Sequence, residues 1–200
     1  MFWDFGGVIL ESPFDAFHRY EREHGLPEDF IRSVNATDPD TNAWARIERR
    51  ELTPEEFDVA FADEAERLGH RVSGADVLGL LSGAVREPMV TALDRVIEAG
   101  YVTACLTNNV SSDRRADVAP IMDRFHHVVE SSQVGFRKPE IAFYERGCEL
   151  AGVEPSEVVY LDDLGINLKP ARAMGMTTIK VDGAEQAITD LEAVLGLSLR

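Results

Sequence analysis

Met1-Phe2-Trp3-Asp4-Phe5-Gly6-Gly7-Val8-Ile9-Leu10 is the stretch that decides how this chain is read. Apolar residues run up to Asp4, break at two glycines and resume. That pattern predicts a short buried strand entering a tight loop, with a carboxylate at the strand's C-terminal end. In an open α/β sheet, ligands bind in the crevice outside those ends, so Asp4 is expected to face a ligand. A carboxylate in that place can ligate a hard cation or attack an electrophile such as phosphorus. On this stretch alone, a plain turn-capping role for Asp4 stands level with the chemical one.

Downstream of this strand the texture is helical. Phe14, Phe17 and Tyr20 have helical spacing, closed by Gly25 and Pro27. A polar, loop-like patch runs from Asn35 to Thr41, and Trp44 with Ile47 suggests a second amphipathic helix. Thr53-Pro54-Glu55-Glu56 is a strong helix start: an N-cap, a proline at the first helical position and acids in the first turn. Ser73 reads as the cap of a further helix through Leu81. No strand is expected between Pro13 and Gly83.

The remainder alternates. A helix is expected from about Pro88 to Ala99, then strands at Tyr101–Leu106, Val128-Val129, Val158–Leu161 and Thr177–Val181. Helices separate them, one capped by Ser111 or Ser112, and a last one runs from Ala184 to Leu195. Strands alternating with helices imply a parallel sheet with right-handed crossovers. The reading is therefore an α/β core of residues 1–13 and 83–200, interrupted by an all-helical insertion of residues 14–82.

Composition sets the outer bounds. Two hundred residues with 44% hydrophobic content fit one folded domain plus a modest insertion. A net charge of -16 argues against nucleic acid and anionic membrane as partners, because both want a basic face. The only two cysteines, Cys105 and Cys148, are too few for a disulfide framework. With no membrane-length apolar run and no secretion signal, the expectation is a cytoplasmic protein. The five histidines lack metal-ligand spacing and read as surface or insertion residues.

Three strands deliver polar residues at their C-terminal ends: Asp4, then Thr107-Asn108, then Asp162-Asp163. In a parallel sheet these ends share one edge and can converge, and Lys138 lies in a loop that can join them. Neighbouring carboxylates repel unless a cation offsets them, and Mg²⁺ suits a few carboxylates plus phosphate oxygens. An aspartate nucleophile, a hydroxyl, an amide, a lysine and Mg²⁺ make a complete phosphoryl-transfer site. Each residue has a plainer use singly, Thr107 as a cap and Lys138 as surface charge; the set carries the reading.

Asp4-Phe5-Gly6-Gly7-Val8, Leu106-Thr107-Asn108-Asn109, Lys138-Pro139 and Leu161-Asp162-Asp163 with Asn167 resemble, in order, the four motifs of the haloacid dehalogenase-like (HAD) superfamily. The likeness extends to the phosphatase-like N-terminal domain of soluble epoxide hydrolases and to the HAD domain fused to some acyl-CoA dehydrogenases. It implies a Rossmann-like three-layer core with an inserted helical C1-type cap. The implied activity is Mg²⁺-dependent hydrolysis of small organic phosphomonoesters through an aspartyl-phosphate. Asp4 is the implied nucleophile and a metal ligand. Thr107 and Asn108 hold the phosphoryl group, and Lys138 orients Asp4 and offsets charge. Asp163 and the Gly6 carbonyl complete the metal ligands, with Asp162 beside them and Asn167 supporting the loop.

One departure stands out. Where the family has a second, acid/base aspartate, this chain has Gly6. General acid-base catalysis contributes roughly 10²–10⁴-fold, so turnover of poor leaving groups is expected to suffer most. Two other readings compete: a metal-independent haloacid dehalogenase, and a non-catalytic phospholigand-binding protein.

Overall fold

The computed structural model describes residues 1–110 and 116–200. The expected cap at Ser111 or Ser112 lies outside the described residues. In chain order, β1 (Phe2–Trp3) is followed by five helices: α1 (Phe14–His24), α2 (Phe30–Ala36), α3 (Ala43–Glu48), α4 (Pro54–Arg67) and α5 (Gly74–Gly79). Then come α6 (Glu87–Glu98), β2 (Ala104–Thr107), α7 (Ala119–Met122), β3 (His127–Glu130) and α8 (Ser131–Val134). The chain closes with α9 (Ile141–Ala151), β4 (Val159–Asp162), α10 (Gly165–Ala173), β5 (Thr177–Lys180) and α11 (Ala184–Leu195).

The five strands form one parallel sheet in the order β3-β2-β1-β4-β5. Strand side chains alternate between its faces. Trp3, Cys105 and Leu161 join a cluster with Leu93 of α6 and Leu191 of α11. Phe2, Leu106 and Tyr160 join another with Phe143 of α9 and Leu168 of α10. Helices therefore cover both faces, which is the expected three-layer α/β architecture. With β1 at the centre of the order, Asp4 emerges midway along the sheet's edge.

β1 also explains a shortened β2. Phe2 pairs with Ala104 and Trp3 with Cys105, so Tyr101 and Val102, expected in the strand, precede the paired region and stay partly exposed. Towards the other end of the chain α10 begins at Gly165, where Asp162 Oδ1 accepts the Leu164 N–H at 2.8 Å and fixes the turn before it.

Helices α1–α5 pack around their own apolar cluster, centred on Phe17, Ile31, Ile47, Phe57 and Phe61. α4 starts as read: Thr53 accepts the Glu56 N–H while the Glu56 carboxylate accepts the Thr53 N–H, a reciprocal cap. α2 was not expected as such. The polar patch read as loop from Asn35 begins inside its last turn, since Phe30, Ile31 and Val34 bury one face of a helix too short to show a period.

The chain leaves and re-enters the sheet side by side. Leu10 and Val85 form an antiparallel bridge, flanked by Glu11 N–H to Ala84 O and Arg86 N–H to Ile9 O, both 2.8 Å. No described helix is long and apolar enough to cross a membrane.

Candidate active site

Asp4 immediately follows β1, Thr107 ends β2, Asp162 ends β4 and Asp163 comes next, so four expected residues share one sheet edge. Lys138, in the loop between α8 and α9, reaches the same point. Its ammonium, 1% exposed, lies 2.8 Å from Asp4 Oδ1 and 2.9 Å from Asp162 Oδ2. Asp4 Oδ1 also accepts the Phe5 N–H at 2.7 Å. Both contacts fall on one oxygen, so Asp4 is held in orientation while its Oδ2 takes no hydrogen bond among the described residues.

The tandem acids divide the work. Asp162 is fully buried and saturated by donors: Lys138 Nζ, Tyr160 OH, the Leu164 N–H and Asn167 Nδ2. Asn167 is itself fixed, its carbonyl accepting Tyr144 OH at 2.7 Å. Asp163, by contrast, takes the Ser12 hydroxyl at 3.4 Å and its own backbone N–H, and lines the cavity. Its carboxylate lies against Gly7: a Cβ there would sit 2.1 Å from Asp163 Oδ2, and Gly7 has φ +73°. This loop needs a glycine at that position twice over, for space and for the left-handed backbone.

Oxygens of Asp4, Asp162 and Asp163 approach within 4.8 Å of one another. Three carboxylates face one ammonium, and the excess negative charge is the donor chemistry a hard divalent cation meets. Burial, reinforced by the neighbouring acids, pushes Asp4 well above its usual range despite Lys138. Burial and Asp162 push Asp163 up to about 6. For Lys138 burial pulls downward, but Asp162 and Asp4 outweigh it and hold the ammonium above its ordinary value.

Asp4, Lys138 and Asp163 line a cavity of about 580 Å³, from which Asp162 is set back. Leu10, Phe14, Trp44, Val118 and Met122 make its walls apolar. Gly6 also lines it, and a Cβ on Gly6 would meet nothing within 4 Å. The expected acid/base aspartate is therefore absent from a position that has room for it.

Asn108 lines the same cavity, and its side chain is also engaged by the protein. Its side-chain oxygen accepts the Lys138 N–H at 2.8 Å, and its amide donates to Lys138 O at 3.0 Å and to Glu48 at 3.2 Å. The side chain ties two loops together. Sequence reasoning missed Glu48 and Arg137, which pair beside it. Arg137 adjoins the Lys138 motif, but nothing in one sequence links it to a glutamate 89 residues away.

Comparison with known proteins agrees with this fold. The profile of the haloacid dehalogenase-like hydrolases matches residues 1–175. The bifunctional epoxide hydrolase 2 of Mus musculus is 32% identical over 97% of this chain, which spans 38% of that protein. Acyl-CoA dehydrogenase family member 10 of the same species is 32% identical over 98% of this chain, which spans 19% of it. The chain thus spans well under half the length of these curated relatives. A HAD-family enzyme from Bacteroides thetaiotaomicron, solved with magnesium and inorganic phosphate, shares the fold at a TM-score of 0.59 and 20% identity, covering 91% of this chain and 94% of its own. On the profile match and these relatives, the chain belongs to the haloacid dehalogenase-like hydrolases.

Proposed function

We propose that this hydrolase is a Mg²⁺-dependent phosphatase of small organic phosphomonoesters. The observation that carries the reading is Asp4 itself. It is oriented through one oxygen by Lys138 and Phe5 N–H, and its other oxygen, without a hydrogen bond among the described residues, lies at the cavity that Thr107 and Asp163 also line. Asp4 attacks phosphorus, the P–O ester bond breaks, and the alcohol leaves with a proton taken from water. Water then attacks the aspartyl-phosphate, breaking its P–O bond, releasing orthophosphate and restoring Asp4. Thr107 holds a phosphoryl oxygen, and Lys138 keeps Asp4 in line and offsets charge.

Asp4, Asp163 and the Gly6 carbonyl would hold Mg²⁺, which when bound offsets charge on the phosphoryl oxygens. Asp162, saturated by its own donors, positions Lys138 instead. Residues 14–82 act as a cap over the core of residues 1–13 and 83–200, and the paired segments at Leu10 and Val85 serve as its hinge.

The test is p-nitrophenyl phosphate hydrolysis with Mg²⁺, with EDTA, and with Asp4→Asn. This ester has a good leaving group, so the missing acid at Gly6 does not mask the nucleophile. Activity that needs Mg²⁺ and vanishes in the variant is expected. Chloride release from 2-chloropropionate in EDTA would instead make the protein a dehalogenase. A second reading, a phospholigand-binding protein without turnover, draws on the empty position at Gly6; phosphate-induced thermal stabilisation with no hydrolysis would favour it.

A further inference from the structure

Glu48 is the last residue of α3, and its carboxylate is divided between its own helix and the sheet edge. It is 6% exposed. Oε1 accepts Trp44 Nε1 at 2.9 Å. Oε2 accepts Asn108 Nδ2 at 3.2 Å and Arg137 Nε. Asn108 directly follows Thr107, and Arg137 directly precedes Lys138. The same Asn108 amide clamps the Lys138 backbone at both N–H and C=O. One carboxylate from the helical layer thus meets the two loops that carry the phosphoryl-binding threonine and the lysine.

Two neighbouring contacts run the same way. Arg137 donates to Pro39 O at 3.3 Å, and Arg49 bridges Asp40 O at 2.8 Å and Glu140 at 3.3 Å. If the helical layer lifted, Asn108 would lose a partner and Arg137 its counter-charge. A partly shielded ion pair of this kind contributes little net stability, whereas either partner left unmatched inside the interface is costly. That is the behaviour expected of a docking contact that must form and release.

We propose that Glu48 is a positioning residue: by gripping Asn108 and Arg137 it makes seating of the helical layer and ordering of the Thr107 and Lys138 loops one event. The inference rests on the phosphatase reading for its kinetic arm only. The site is then complete only when the layer is seated, so water meets an assembled centre less often in the absence of substrate.

The experiment compares wild type with Glu48→Gln, Arg137→Met and the double variant. Turnover of p-nitrophenyl phosphate with Mg²⁺ is expected to fall at least ~10-fold in each single variant, with KM changed less than about 3-fold, since misplacing a loop by about 1 Å costs rate rather than encounter. The double variant should be no worse than either single one, because they break one contact. Acrylamide quenching gives a readout independent of turnover. Trp3 is fully buried, so quenchable emission comes from Trp44. Mg²⁺ with inorganic phosphate is expected to protect Trp44 in wild type, and Glu48→Gln should expose Trp44 and abolish that protection. Additive losses, unchanged kcat, or losses that follow lowered melting temperature overturn the proposal. If wild type proves inactive, the phosphatase reading fails, and Trp44 quenching identical in wild type and Glu48→Gln would overturn the positioning role separately.

Discussion

Gly7→Ala is the sharpest perturbation of this site, because two costs can be read at one atom. The added Cβ would lie 2.1 Å from Asp163 Oδ2, 2.2 Å from Cγ and 2.7 Å from Oδ1, where ordinary contact begins at 3.4 Å. The carboxylate must retreat by roughly 1 Å, a displacement that costs on the order of 10²-fold in rate when it occurs in a reacting centre. Alanine in the left-handed region, at φ +73°, adds about 1–2 kcal/mol of strain. For a domain of this size that lowers the melting temperature by roughly 2–8 °C. Gly6→Ala is the matched control: its Cβ meets nothing within 4 Å, and Gly6 is not among the positive-φ glycines. It should keep turnover within several-fold and leave stability unchanged or raised by about 0.4–1 kcal/mol. The assay is p-nitrophenyl phosphate hydrolysis across a Mg²⁺ titration, with thermal melts of each variant. Gly7→Ala should need more Mg²⁺ and turn over slowly even at saturation. Wild-type turnover and Mg²⁺ dependence in Gly7→Ala would refute the placing of Asp163 as a metal ligand held by that close approach.

Two further outcomes follow from the same groups. Gly6→Asp should speed alkyl phosphate hydrolysis by roughly 10²-fold while changing p-nitrophenyl phosphate much less, because only a poor leaving group needs a proton donor; equal effects on both esters would count against Gly6 as the missing acid/base position. The metal-free protein should lose stability as pH rises above about 4, the unfolded range of an aspartate, and on through the folded Asp163 value of about 6. The folded pKa of Asp163 is raised to about 6 and that of Asp4 is raised too, so their favourable contribution is complete below the unfolded value and is lost as pH climbs through the folded one. Urea midpoints measured in EDTA and in Mg²⁺ check this. A metal-free midpoint that rises over that range, or a fall that Mg²⁺ does not relieve, would contradict the assigned cluster.

Much of the architecture was legible in the chain because its signals are local. The Thr53 cap, the proline and acids after it and the periodic phenylalanines needed only neighbours to specify α4. The buried strands, each broken by a polar residue at its C-terminal end, placed Asp4, Thr107 and Asp162-Asp163 on one edge before any coordinates, since a parallel sheet leaves few alternatives. The order of motifs brought Lys138 into the same set. α2 escaped because seven residues with one buried face carry too little period to stand out from the polar patch that follows.

Tertiary structure alone decided how those groups divide their work. Residue type and spacing present Asp162 and Asp163 as a pair that only the family resemblance separates; in the fold Tyr160, Leu164, Asn167 and Lys138 saturate the first and leave the second to the cavity. Sequence presents Asn108 as a residue beside the ligand, and only packing shows that its side chain also ties down the Lys138 backbone and meets Glu48. Glu48 and Arg137 are ordinary charges along the chain and become a buried contact only when the helical layer meets the sheet edge. The physical reason is common to all three. Residue type and spacing fix which elements form and which chain ends they share. Saturation of a polar atom depends on partners many residues away, and only the folded chain supplies them.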